Sequence, residues 1–266
     1  MSEGINLVYE TIDQQHSDKS ASTRRQLVAG AAATLGGLGL LGLVDTAKAD
    51  YRYNTLEKIL PIAATAEVLA MIVNTVGAEQ VDLKDKVTLR NVRAAAREEL
   101  IHYKVLTEAL GAKPLTKSIW VPDAVFASRT NLLSTLEVGD QIFVNAYLLG
   151  TITFGLAGLG QEAAIAAEFM GVEAVHRALA RQSLGKLGND RVFMKLDGVE
   201  TAPDAPNKGQ AGFQHIEVAV SQLQAAGFGF GVKGKGKGKF YDFDVVSRRT
   251  PNDPDLNTFA PDPAGP

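Results

Sequence analysis

The sequence predicts an all-α protein: four long helices joined by short, long and short connections, then a short C-terminal helix and an extended tail. Three observations predict it. Apolar residues recur at alternating spacings of three and four over four stretches between residues 55 and 186, the pattern of a helix with one buried face. Glu99-x-x-His102 and Glu173-x-x-His176 each fall inside such a stretch. Glu67 precedes Glu99 by 32 residues and Asp140 precedes Glu173 by 33, so a carboxylate followed by Glu-x-x-His occurs twice. That is an internal repeat of two helical hairpins, each offering three ligands.

The 266 residues, 45% hydrophobic, suffice for one sizeable core. A formal charge of -3 and a pI near 5.9 argue against nucleic acid as a partner. The absence of cysteine excludes disulfides, zinc ribbons, thiolate nucleophiles and rubredoxin-type iron centres.

Residues 1–49 read as a targeting segment. Ser22-Thr23-Arg24-Arg25-Gln26-Leu27-Val28 opens an apolar run from Leu27 to Val44, and Ala47-Lys48-Ala49 closes it. A charged region, an apolar region and a small-x-small site make a secretory signal, with cleavage expected after Ala49. The paired arginines resemble the twin-arginine signal, whose route exports folded proteins and so allows metal loading before export. The alternative is an uncleaved membrane anchor, since 18 apolar residues can just span a bilayer. Five glycines among those 18 suit a signal better.

The helical domain is expected at residues 50–186. The first helix is predicted at Thr55–Val76, with Asn54 as N-cap, Gly77 as C-cap and Pro61 inside. Leu60, Ala64, Glu67, Met71 and Asn74 share one row. The second runs from Asp82 to Leu110, ended by Gly111, with Val92, Ala95, Glu99, His102 and Leu106 in a row. Residues 111–130 read as a loop. Extended, a segment of this length covers about 60 Å, whereas a helix of about 25 residues is about 37 Å long, so the loop can cross the whole bundle. The third helix is predicted at Asn131–Ala157, with Leu133, Leu136, Asp140, Phe143 and Tyr147 facing inward. The fourth is predicted at Gln161–Lys186, with Ala166, Phe169, Glu173, His176 and Ala180 in a row.

The third domain, residues 187–266, is expected to hold a loop to residue 210, a fifth helix at Phe213–Ala226, and a Gly-Lys alternation within Gly227–Lys239. That alternation reads as a flexible solvated loop, with an anion contact as the sharper alternative. Phe240–Val246 reads as a strand or extended arm. Five prolines in residues 250–266 predict a disordered or draped tail.

Glu67, Glu99, His102, Asp140, Glu173 and His176 are the candidate metal ligands. On a helix, residues three apart share a face, so each Glu-x-x-His aims a carboxylate and an imidazole at one point. All six lie on apolar rows, and burying four carboxylates uncompensated is costly. Two divalent metals compensate them. Asn74, Thr107 and Gln141 are candidate acceptors for the outer imidazole nitrogens. Tyr103 and Tyr147 are expected near the site, chiefly as ordinary core residues. His215 reads as structural or solvent-exposed.

Residues 54–182 resemble the ferritin-like domain of the bacterial and plant desiccation- or stress-related proteins, a non-cage branch of the ferritin-like superfamily. Ala66-Glu67, Glu99-Leu100-Ile101-His102 with Leu106 and Ala109-Leu110-Gly111, Asp140 seven before Tyr147, and Val172-Glu173-Ala174-Val175-His176 carry the resemblance. It implies a four-helix bundle with a di-iron carboxylate centre, its ligands being a carboxylate from each of two helices and a Glu-x-x-His from each of the others. Asp140 stands where Glu is expected. Being one methylene shorter, it leaves dinuclear, mononuclear, mixed-metal and degenerate sites open.

The expected function is thus an exported redox protein with two iron (or manganese) ions that reacts Fe(II) with dioxygen or peroxide. The alternative is a non-enzymatic stress protein with a structural or degenerate metal site. The expected partners are the twin-arginine export machinery, an external reductant and, through the C-terminal segment, further copies in a homo-oligomer.

Overall fold

A computed structural model describes residues 53–190, 192, 194–195 and 210–252. The signal read at residues 1–49, most of the 187–210 loop and the tail beyond residue 252 lie outside the described residues.

Four long helices dominate. Helix α1 (Leu56–Gln80) is long and apolar enough to cross a membrane, yet most of it is buried against its neighbours. It starts one residue later than expected and passes through Gly77. Gly77 serves packing rather than capping: a Cβ there would lie 2.7 Å from Leu132 Cδ1. Asn54 is likewise not the cap. Its Nδ2 donates to Gln214 O (2.7 Å) and its Oδ1 accepts from Ile216 N (2.9 Å). Helix α2 (Lys86–Lys104) begins at the N-cap Asp85, whose side chain accepts from Thr88 N, and ends in a π-helical turn at Val105–Ala109. Helix α3 (Arg129–Leu156) is capped by Ser128, and helix α4 (Gly160–Ser183) follows after a tight turn. Helix α1 packs on α2 and α3, and α4 packs on α3 and α2. One apolar core runs through them, centred on Val68, Met71, Ile72, Leu132, Leu133 and Leu149.

The chain is mainly helical, as expected, but it is not purely so. Residues 111–130 hold strand β1 (Ser118–Pro122) and a 3-10 turn at Asp123–Phe126. Short strands β2 (Met194–Lys195) and β3 (Gln210–Ala211) pair in parallel. After α5 (Glu217–Ala225), strands β4 (Gly229–Phe230) and β5 (Gly238–Asp242) flank β1 in an antiparallel sheet ordered β4-β1-β5. The Gly-Lys alternation expected as a flexible loop is therefore the connection of an ordered sheet. The arm expected at Phe240–Val246 divides into the end of β5 and a helical turn, α6 (Phe243–Val246).

Two buried asparagines fix the C-terminal segment to the long helices. Asn54 holds the approach to α5. Asn145, on α3, donates to Phe213 O (2.9 Å) and accepts from Phe213 N (2.7 Å). Each satisfies buried backbone groups that would otherwise cost about 1–3 kcal/mol apiece.

Candidate metal centre

Each long helix contributes its own row to one buried site. Glu67 comes from α1, Glu99 and His102 from α2, Asp140 from α3, and Glu173 and His176 from α4. All six side chains are buried, and Glu67, Glu99 and Glu173 are fully so. They form two groups that could each hold a metal ion: Glu67, Glu99, His102 and Glu173, and Glu99, Asp140, Glu173 and His176. Within a group, one ligand atom per residue lies within 4.8 Å of all the others.

Glu99 and Glu173 belong to both groups, and their oxygens divide between them. Around His102 Nδ1 lie Glu99 Oε2 (3.4 Å), Glu173 Oε1 (3.3 Å) and Glu67 Oε2 (3.6 Å). Around His176 Nδ1 lie Glu99 Oε1 (3.2 Å) and Glu173 Oε2 (3.7 Å). None of these seven atoms has a hydrogen-bond partner among the described residues, although all are buried. Buried polar atoms in native proteins are almost always hydrogen-bonded, so seven unsatisfied atoms facing two points require another explanation. Metal ions supply one, since carboxylate oxygen and imidazole nitrogen are common metal ligands.

The supporting contacts orient the ligands. His176 Nε2 meets Glu98 Oε2 at 2.6 Å, which leaves Nδ1 aimed inward. Glu98 thus does for His176 what was expected of Asn74, Thr107 or Gln141. Thr107 instead donates to Tyr103 O (2.9 Å), and Asn74 donates to Ala70 O (3.1 Å). His102 stacks on Phe169, with ring centroids 3.9 Å apart. Tyr147 exceeds its expected role as plain core, because its hydroxyl donates to Glu67 Oε1. Tyr103 packs on Phe243 of α6, with centroids 4.2 Å apart. His215 meets the Tyr53 ring edge-on, as a structural residue would.

Burial and crowding perturb these groups. Burial, then the charge of Glu99, pushes Glu67 up from 4.5 to about 7. Burial, then Glu173, raises Asp140 well above the usual carboxylate range. Burial alone would lower His102, but the charge of Glu67 and contacts with Glu173, Glu67 and Glu99 outweigh it and raise it well. His176 is raised against burial in the same way by Glu173, Glu98 and Glu99. Burial, then Glu67, raises the Tyr147 phenol.

These shifts share one sign. Glu67, Asp140, His102 and His176 all bind protons more tightly folded than unfolded, so their contribution is complete below their unfolded values and is lost as pH rises through the folded ones. For Glu67 that window runs from about 4.5 to about 7 and is worth on the order of 3 kcal/mol. Chelator-treated protein should therefore melt at progressively lower temperature from pH 5 to pH 8. Metal competes with those protons, so the gain in melting temperature on adding metal should grow over the same range. Melts with and without chelator check both trends, and a metal-free melting temperature that climbs towards pH 8 contradicts them.

Two cavities reach the site. One of about 40 Å³, lined mostly by apolar side chains including Leu69, Val73, Leu223 and Phe228, ends on Asn74 and Asp140. A second of about 20 Å³ ends on Asp140 and His176. A water needs about 10–15 Å³ on this measure, so the first has room for a molecule the size of dioxygen.

Comparison with protein-family models, curated proteins and solved structures finds no match.

Proposed function

We propose that this chain is an exported, ferritin-like di-metal carboxylate protein that binds Fe(II) and reacts it with dioxygen or peroxide in oxidative or desiccation stress. The observation that carries the proposal is the division of the Glu99 and Glu173 oxygens. Each carboxylate turns one oxygen towards the His102 group and the other towards the His176 group. Two carboxylates shared by clusters that each have their own histidine and a further acid would suit two ions rather than one.

The ferritin-like reading draws on the order and packing of the four long helices and on the long connection between α2 and α3. The residues' tasks follow from their contacts. Four helices hold the carboxylates rigidly, Glu98 orients His176, and Phe169 orients His102. The Tyr147 phenol fixes one oxygen of Glu67 and leaves Oε2 for the site. The apolar cavity at Asp140 admits a small neutral reactant and disfavours ions. Bound Fe(II) would supply the electrons, and without cysteine the chain holds no rubredoxin-type donor, so repeated turnover draws on an external reductant. Export is supported by the twin-arginine motif at Arg24-Arg25, and the stress assignment by the family resemblance.

A second reading, a structural stress protein with a non-redox metal site, is favoured by the Tyr147–Glu67 bond and the short Asp140 side chain. Kinetics separate the two. Anaerobically loaded protein exposed to dioxygen or peroxide should oxidise Fe(II) at least about tenfold faster than buffer, with the Glu99→Gln/Glu173→Gln variant at the buffer rate. Oxidation no faster than buffer, in protein that still binds metal, favours the structural reading.

A further inference from the structure

The Gly-Lys alternation has a structural half and a half that the fold leaves unused. The glycines are structural. A Cβ on Gly234 would lie 2.1 Å from Gly227 O and 2.6 Å from Trp120 Cδ1. One on Gly238 would lie 2.4 Å from Val121 O and 2.9 Å from Trp120 Nε1. The chain between β4 and β5 therefore lies flat over Trp120, fastened by Lys235 N to Gly227 O (3.0 Å) and Asp123 N to Lys237 O (2.9 Å).

The lysines have no such task. Lys233, Lys235, Lys237 and Lys239 are all exposed, and none forms an ion pair among the described residues. Lys233 Nζ stands 5.3 Å over the Trp120 ring and Lys239 Nζ 5.0 Å over the Tyr241 ring. No Asp or Glu occurs between Glu217 and Asp242, although the whole chain carries a charge of -3. Two large apolar side chains share the segment in the open: Val232 is 62% exposed and Phe240 46%.

We propose that this ordered basic hairpin is a docking surface for anionic lipid membranes, with Lys233, Lys235 and Lys237 facing the headgroups and Val232 and Phe240 entering the interface, while Lys239, next to Phe240 in β5, lies on the opposite face of the sheet. Lysines bracketed by exposed apolar side chains match a surface that is negative outside and apolar beneath. Single-stranded nucleic acid fits less well, because stacking uses a succession of open aromatic faces, whereas Trp120 is buried, Tyr241 is half-buried and Phe240 alone of the three is exposed. The inference is independent of the metal centre.

Flotation of the full chain with vesicles tests it. Phosphatidylcholine vesicles register whatever the N-terminal apolar segment contributes, and vesicles with one quarter phosphatidylglycerol add the charge. The chain should bind the anionic vesicles more tightly, and less so as salt rises. Each of Lys233, Lys235 and Lys237 changed to glutamine should weaken that preference about fivefold, the triple K233Q/K235Q/K237Q variant should abolish it, and K239Q should change it least. V232S/F240S should weaken binding while keeping the salt dependence. All six positions are exposed, so the variants should match the parent in melting temperature.

Three outcomes overturn the proposal. The first is a parent with no preference for anionic vesicles. The second is a triple variant that binds them as well as the parent, or merely aggregates, as expected if the lysines only protect a sheet edge. The third is binding insensitive to V232S/F240S and equalled by inorganic polyphosphate, which would make the hairpin a general polyanion contact.

Discussion

The Glu99→Gln/Glu173→Gln variant should lose all metal-dependent stabilisation. These two residues are shared by both ligand groups, so one double change disables both. A ligand that binds only the folded state stabilises it by about 4 kcal/mol at a thousand times its dissociation constant. For a chain of this size that is a rise of about 10 °C, present in the parent and absent in the variant. Without metal, Glu99 and Glu173 still face the His102 and His176 imidazoles and hold them protonated against burial, so the metal-free variant should melt somewhat lower than the metal-free parent. Thermal melts with and without anaerobic Fe(II), or with Mn(II), distinguish the outcomes.

The second large effect lies away from the metal ligands. Glu137 on α3 is 2% exposed and receives Arg181 from α4, with Lys186 Nζ at 2.8 Å on its other oxygen. Arg181 also donates to Leu187 O (2.8 Å) and Asp190 Oδ2 (2.9 Å). This network ties the end of α4 to α3, the pairing that holds Asp140 opposite Glu173 and His176. Removing one partner of a buried pair leaves the other uncompensated and typically costs about 3–5 kcal/mol. Arg181→Met should therefore destabilise by about 3 kcal/mol, with Lys186 retaining part of the compensation. Glu137→Leu/Arg181→Met should recover most of the loss, because it removes both charges. Urea unfolding of the three proteins checks this, and a single-variant loss below about 0.5 kcal/mol contradicts it.

The site was more legible in the sequence than the fold around it. Glu-x-x-His spacing is local, and a helix converts it directly into a shared face, so four of the six residues need no tertiary knowledge. Glu67 and Asp140 were visible as single acids on apolar rows. Glu98 was not, because it meets His176 across two helices and no spacing relates positions 98 and 176. The Tyr147 bond to Glu67 likewise joins α3 to α1. The sheet was hidden for a similar reason: Ser118–Pro122 is a short apolar run whose partners lie more than a hundred residues away. Gly77 and the Gly-Lys segment misled because glycine signals both flexibility and close approach, and only the neighbours decide. At Gly77 the neighbour is Leu132, and at Gly234 and Gly238 it is Trp120.

The central claim, a two-metal carboxylate site, is tested most directly by metal stoichiometry. Purified protein, loaded anaerobically with Fe(II) and freed of excess, should contain about two metal ions per chain by elemental analysis, as the two ligand groups require. No bound metal after loading would contradict the account: the chain would then keep the ligand arrangement without the centre.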